Sequence, residues 1–191
     1  MTINEIIIQL NQKLRLAFEE KPGVRFYGIA ETVWRIVGTE EEAIPALIEP
    51  DGEIKYIDPF DDVAPMTAYW KLRSLTTANI SAGNKTYGRE AFLYRNTYSV
   101  VLIVYYDIQR IGVQPDELYM AIVASASGFV PPKDFRHVLA RFSGVNLNSR
   151  EVYDREFIGP RYKLPANRRM IEISCTIEGE FDKNCLDKFC C

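Results

Sequence analysis

One stretch of the chain, Thr97 to Ile108, is apolar on both of its alternating faces. Successive side chains of a β-strand point to opposite sides of the sheet, so each side can be judged separately. One side of this stretch carries Val100, Leu102, Val104 and Tyr106, and the other carries Val101, Ile103 and Tyr105. A strand covered on one side only would show polar residues on its other side. We therefore expect this strand to be covered twice, either by a second layer of the same subunit or by a neighbouring subunit.

Composition limits the classes of protein that fit the chain. The chain has 191 residues, of which 47% are hydrophobic. It is long enough to bury a core, so we predict a single domain over residues 1–191 with large loops. A net charge of -3 argues against a dedicated nucleic-acid binder, which usually carries a strongly basic face. The longest apolar run, Val100 to Tyr106, is far shorter than the roughly 20 residues that span a bilayer. No basic residue precedes the apolar residues of the N-terminus, so we predict no secretory signal and a cytosolic compartment.

Periodic patterns predict the regular elements. Helical spacing of apolar residues predicts a helix of about five turns from Thr2 to Phe18, and Pro115 to Val123 has the pattern of a second helix. The remaining predictions are a strand over Val24–Val37, a hairpin of Ile44–Glu49 and Glu53–Asp58 around Pro50-Asp51-Gly52, the doubly apolar strand, a short helical segment over Phe135–Phe142 and a last strand over Arg169–Glu180.

Three stretches lack a regular pattern. Pro59 to Arg89 contains turn formers and small polar residues and is predicted to be a long loop or excursion. Residues 143–165 are predicted to be irregular, and residues 182–191 a C-terminal tail. The predicted fold is α+β, with a single antiparallel or mixed β-sheet, two helices packed on one face and long loop excursions.

Residues that commonly carry catalysis are sparse. His137 is the single histidine, and its setting favours a surface or capping role. The cysteines, Cys175, Cys185, Cys190 and Cys191, form no C-x-x-C pair and are expected to be reduced. The segment before Lys85 fails the phosphate-loop pattern, because Asn84 and Asn79 stand where glycines are needed.

An acidic group, Asp58, Asp61 and Asp62, has oxygen ligands that suit a hard cation. The spacing of a calcium loop is missing, so a solvated acidic loop is the better interpretation. We predict no catalytic residue, no cofactor and no metal site, and we expect the protein not to be an enzyme.

Two groups of residues have the composition of a protein interface. Late in the chain, Arg155, Arg161 and Tyr162 belong to a basic segment with interleaved aromatic residues, which suits protein contact better than nucleic acid in a chain with balanced acids. Within the predicted excursion, Tyr69, Trp70 and Arg73 are contact-forming types in a segment too apolar for a solvated loop. We expect these six residues to contact an adjacent subunit or another protein.

The order of elements resembles the tail terminator and tail completion family of tailed bacteriophages, and the related neck proteins that join head to tail. The residues that carry the resemblance are the hairpin strand Ile44-Pro45-Ala46-Leu47, the strand Tyr98–Asp107, the helix Asp116–Val123 and the segment Tyr162–Glu178. The resemblance rests on the order of elements over about two thirds of the chain rather than on a diagnostic motif.

The resemblance implies a non-enzymatic virion protein at the head–tail junction or tail end, a neck protein or head–tail connector component assembled in the host cytoplasm. It implies a homo-oligomeric ring, a hexamer or dodecamer, that contacts portal, neck or tail proteins while DNA passes nearby without sequence-specific binding. Two other classes stay open. One is a monomeric or dimeric adaptor or ligand-binding protein with residues 59–89 as a lid, and the other is a metal-dependent hydrolase using Asp58, Asp61 and Asp62.

Overall fold

The computed structural model describes residues 3–49, 51–58, 64–79, 93–127, 129 and 138–182. Within them the chain is a mixed α+β protein, mostly strands, with two sheets and four helices. In chain order the elements are α1 (Ile3–Ala17), β1 (Arg25–Ile29), β2 (Glu31–Val37), β3 (Glu40–Ile48), β4 (Ile54–Tyr56), β5 (Met66–Asn79), β6 (Leu93–Asp107), α2 (Ile108–Ile111), α3 (Pro115–Ala126), β7 (Val138–Asn146), α4 (Ser149–Glu156) and β8 (Arg168–Asp182).

The larger sheet has five strands in the order β1-β5-β6-β8-β7. Its first pair, β1 and β5, is parallel, and all other neighbours are antiparallel, so the sheet is mixed. The two long central strands, β6 and β8, are paired over their whole length of 15 residues. This pairing places the doubly apolar strand at the centre of the sheet.

Both faces of β6 are buried, as its pattern predicts. Its even-numbered side chains join one core with α1 and α3, and the prediction of two helices on one face is confirmed. Its odd-numbered side chains, Val101, Ile103 and Tyr105, join a second core that contains Ile44 of β3 and Tyr153 of α4. The second cover is therefore a layer of the same subunit, and the doubly apolar strand gives no support for a neighbouring copy.

The two helices over the first core have sequence causes that are visible in the structure. In α1 the residues Ile6, Ile7, Leu10 and Leu14 recur at helical spacing, and all are buried. In α3, Pro115 occupies the first turn, where a missing N–H costs no hydrogen bond. The Glu117 carboxylate accepts a hydrogen bond from the backbone N–H of Gln114 at 2.8 Å and so caps the start of the helix.

The smaller sheet has three strands in the order β2-β3-β4, in addition to the single sheet that was predicted. Residues 24–37 were predicted to be one strand, but the chain leaves the large sheet at Ala30 and enters the small one at Glu31. At this point the backbone N–H of Ala30 donates to the carbonyl of Trp70 of β5 at 2.8 Å. The predicted hairpin is confirmed as β3 and β4.

The prediction of a loop over residues 59–89 is wrong for residues 66–79, which form β5 and pair with β6 along its length. A shift of register between Leu72 and Ser74 places Arg73 in a bulge, so the alternation of apolar residues changes phase in mid-strand. The periodicity of a strand is lost in the sequence at that point, although the strand continues.

Two further predictions are corrected in the second half of the chain. Residues 138–142 were predicted to be helical, but they belong to β7, an edge strand of the large sheet. The stretch 143–165, predicted to be irregular, contains the end of β7 and all of α4. The last strand is confirmed and runs from Arg168 to Asp182. Beyond Asp182, the predicted tail lies outside the described residues.

Within the described residues, no helix combines the length and apolar character that crossing a membrane requires.

Candidate interaction surface

Tyr69 and Trp70, which were predicted to be docking residues, are fully buried inside the subunit. The Trp70 indole N–H donates to Asn11 Oδ1 at 2.8 Å beneath α1, and its ring lies 6.5 Å from that of Phe142. The Tyr69 hydroxyl donates to Glu156 Oε2 at 3.2 Å on the opposite side of the sheet. The prediction that these two residues contact another protein is therefore wrong, because they fill the two cores of their own subunit.

Three carboxylates, Glu42, Glu156 and Glu172, lie on the side of the second core, and each is held by two basic side chains. Two of them, Glu42 and Glu156, have side chains only 1% exposed. A buried carboxylate is costly unless charged partners and hydrogen bonds satisfy its oxygens. We call these three residues the carboxylate row.

Glu42 of β3 accepts from both Arg35 and Arg161. The Arg35 Nε lies 3.4 Å from Glu42 Oε2, and an Arg161 Nη donates to the same oxygen at 2.7 Å. The Tyr162 hydroxyl donates to Glu42 at 3.2 Å and accepts from Arg35 at 3.0 Å. These bonds fasten residues 161–162 to the small sheet.

Glu156 of α4 accepts from Lys71 of β5 at 2.7 Å, in addition to the bond from Tyr69. Arg155 reaches both Glu156 and Glu172 of β8, and Arg73 donates to Glu172 at 2.9 Å. The carboxylate row therefore joins α4 to two strands of the large sheet.

Burial also affects the titration of the aromatic side chains between the layers. Desolvation raises the pKa of the Tyr69 phenol well above its usual value, and the negative charge of Glu156 raises it further. Tyr153, whose ring centroid lies 4.9 Å from that of Phe157, also has a pKa raised chiefly by burial. These phenols stay protonated at neutral pH and act as packing groups.

The remaining predicted interface residues have mixed positions. Arg73, Arg155 and Arg161 have side chains 41%, 39% and 45% exposed, so their guanidinium groups can meet a partner while keeping their carboxylates. Tyr162 is buried, and its hydroxyl bonds to Glu42. The structure thus places Arg73, Arg155, Arg161 and Tyr162 along the carboxylate row. Trp70 lies on the opposite side of the large sheet, in the first core.

Large apolar side chains are exposed on the outer face of the small sheet. Trp34 is 60% exposed and Ile36 is 74% exposed, and both point away from the subunit on β2. Trp34 lies opposite Ala43 of β3, which in turn forms an isolated bridge with Ile158, a residue 41% exposed. We call Trp34, Ile36 and Ile158 the outer patch.

The backbone of β2 is open along the edge beside the outer patch. Ala43 exchanges two hydrogen bonds with Ile158, at 2.8 and 2.9 Å, so its N–H and C=O point away from β2. Directly opposed residues of an antiparallel pair either both bond to each other or both point outward, so Trp34 directs its N–H and C=O to the free edge. By alternation, Thr32 and Ile36 do the same. Among the described residues, no strand pairs with this edge.

The sequence contained a signal for this surface that was not used. The segment Val33-Trp34-Arg35-Ile36-Val37 has large apolar residues on both alternating faces, the same feature that identified the central strand. In β6 both faces are covered by the subunit itself. In β2 the face that carries Val33 and Arg35 turns toward the rest of the protein. On the other face the Thr32 hydroxyl accepts from Lys71 of β5 at 2.8 Å, whereas Trp34 and Ile36 are exposed.

The residues considered for chemistry fall mostly outside the described part of the chain. His137, Lys85, Asp61 and Asp62 lie there, whereas Asp58 is described and exposed. Among the described residues, no group of three or more His, Cys, Asp and Glu side chains could hold a metal ion. Cys175 is a free, buried cysteine on β8, and burial raises the pKa of its thiol to about 12.

No protein-family model matches the sequence, and a search of curated proteins finds no significant match.

Proposed function

We propose that the protein is a non-enzymatic assembly protein that works through protein contacts of its small sheet. The observation that carries the proposal is the outer patch, where Trp34 and Ile36 stand exposed beside an open strand edge. Exposed apolar side chains grouped on one face are typical of protein–protein contact sites, and tryptophan is among the residues enriched at their centres.

We further propose the finer role that the element order suggests, a ring-forming component of the neck or tail end of a tailed phage. The mixed α+β architecture, the hairpin of β3 and β4 and the long central strands are compatible with that role. Neighbouring portal, neck or tail proteins would then be the partners, with Arg73, Arg155 and Arg161 available as polar contacts around the apolar centre.

The carboxylate row supports an architectural rather than a chemical role for its charged residues. General acid–base catalysis needs a titratable group that a substrate can reach. Glu42 and Glu156 are instead enclosed by the side chains that neutralise them. Their geometry suits the joining of two layers within one subunit.

Three experiments test the proposed function. Negative-stain images of the purified protein, alone and mixed with lysate of phage-infected cells, should show rings, and mass spectrometry of purified virions should detect the chain. Strictly monomeric protein in both settings would contradict the proposal. Metal-dependent hydrolytic turnover that disappears in the Asp61→Ala and Asp62→Ala variants would instead favour the hydrolase.

A further inference from the structure

From the geometry of β2, we infer that two copies of this chain pair through that strand, antiparallel and about a two-fold axis at Trp34. The small sheets of the two copies then form one continuous six-stranded sheet. This inference deepens the proposed function by naming a second copy as the partner of the outer patch. It concerns one contact, and a ring would need a further contact of different symmetry.

The open edge itself supports strand pairing. Long apolar edge strands are rare in soluble proteins because they invite pairing, and natural edges are blunted by charges, prolines or bulges. The edge of β2 has neither a proline nor a bulge over its seven residues, and its pairing with β3 runs without interruption from Glu31 to Val37. Its charged residues are Glu31 and Arg35, and the Arg35 charge is neutralised by Glu42. Thr32, Trp34 and Ile36 together present three N–H and three C=O groups outward.

The register follows from which residues can pair. With Trp34 opposite Trp34 of the second copy, Thr32 of each copy lies opposite Ile36 of the other. The outward N–H and C=O groups of all three residues then find partners. A two-fold axis at Val33 would require the N–H of Ala30, which is already donated to Trp70. An axis at Arg35 would place two arginines directly opposite each other, which is unfavourable.

The side chains agree with this register. On the outer face, the two Trp34 rings form a cross-strand aromatic pair, with Ile36 of each copy beside it. On the inner face, Arg35 lies opposite Val33 of the second copy and diagonal to both its Glu31 and its Arg35, while its own guanidinium is held by Glu42 and Tyr162. The strand is therefore complementary to itself in the apolar character of its outer face.

The size of the contact predicts a reversible dimer. Stable interfaces bury roughly 1,200–2,000 Å² in total, and one strand pair with four large apolar side chains lies at or below that range. We therefore expect association at micromolar rather than nanomolar concentrations.

Sedimentation velocity between about 1 and 500 µM tests the contact. The unmodified chain should shift from monomer to dimer, and Trp34→Lys should raise the dissociation constant roughly 10-fold or more because it acts twice in the dimer. Met120→Lys is the matched control, since Met120 on α3 is 62% exposed and should leave the dissociation constant unchanged. Ile36→Pro removes only an outward N–H, so it should also weaken the dimer without unfolding the subunit.

Cross-linking tests the register, in a chain with Cys185, Cys190 and Cys191 replaced by serine. Opposed Cα atoms of a hydrogen-bonded pair are about 5.5 Å apart, within disulfide range, so Trp34→Cys should form a dimer on oxidation. Ile36→Cys should not, because the two copies of residue 36 are offset by about 13 Å along the strand. Monomer at every concentration, a dimer insensitive to Trp34→Lys, or cross-linking at residue 36 instead of 34 would overturn the inference. Rings that form without this contact would overturn the inference and leave the proposed ring-forming role standing. This dimer, without rings and without the chain in virions, would contradict only the proposed ring-forming phage role.

Discussion

Replacing Trp70 with alanine should severely destabilise the subunit. Trp70 is fully buried in the core between the large sheet and α1, and its indole N–H is bonded to Asn11. Truncating a buried tryptophan to alanine typically costs about 3–5 kcal/mol. Asn11 is itself buried, so the oxygen that loses its donor adds to this cost. We expect a loss of about 4 kcal/mol, which for a chain of this size lowers the Tm by about 8–16 °C.

The chain contains a matched control, because its second tryptophan is Trp34 on the outer patch. Trp34→Ala should change the free energy of unfolding of the monomer by less than about 0.5 kcal/mol. Trp70→Phe keeps most of the ring but removes the donor to Asn11, and should cost about 1–2 kcal/mol.

Urea unfolding followed by far-ultraviolet circular dichroism, at a concentration where the protein is monomeric, measures all three variants. A loss below about 1 kcal/mol for Trp70→Ala would refute the assignment of β5 to the core. An equal loss for Trp34→Ala would refute the assignment of Trp34 to the surface.

Three further perturbations test the packing between the layers. Glu156→Gln should lower the free energy of unfolding, measured in urea, by about 3 kcal/mol, because Lys71 loses the charge of its buried partner. A decrease no larger than that for breaking an exposed ion pair would contradict this. Burial raises the pKa of Tyr106 to about 12 and that of Tyr153 higher still, so the unfolded chain releases protons first and stability should fall as pH rises above about 10. A free energy of unfolding that stays constant between pH 9 and about pH 11 would contradict that linkage. Cys175 should react with a thiol reagent only on unfolding when the other cysteines are replaced by serine, and rapid reaction in the folded protein would show that it is accessible.

The elements with an uninterrupted period could be predicted from the sequence. The helix α1 and the helix from Pro115 were predicted from their helical period, the central strand from its two apolar faces, and the hairpin of β3 and β4 from its turn sequence Pro50-Asp51-Gly52. In these elements the local pattern agrees with the position that the residues take in the fold.

Elements whose period changes could not be predicted in the same way. The bulge at Arg73 shifts the alternation of β5 by one residue, so the two halves of the strand do not share one period. A similar shift between Phe142 and Gly144 interrupts β7. The break at Ala30 depends on a hydrogen bond to Trp70, which is 40 residues away in the chain and invisible in local sequence. Tyr69 and Trp70 were assigned to an interface because their strand was not recognised.

The candidate surface was predictable only in part. Arg155 and Arg161 were identified by their interleaving with aromatic residues, but their carboxylate partners Glu42, Glu156 and Glu172 come from three separate elements. Their proximity depends on the second layer folding over the large sheet, which no spacing in the sequence reveals.

Amide hydrogen exchange resolved to single residues of β2 tests the central claim, self-association through this strand, most directly. The amides of Val33 and Arg35 point toward β3 and should be protected at every protein concentration, whereas those of Trp34 and Ile36 point outward and should exchange quickly in the monomer. As the protein concentration rises, protection should appear at Trp34 and Ile36 and follow the dimer fraction from sedimentation. Fast exchange at both amides in a sample that is fully dimeric would show that the copies meet elsewhere, and the account of β2 would be wrong.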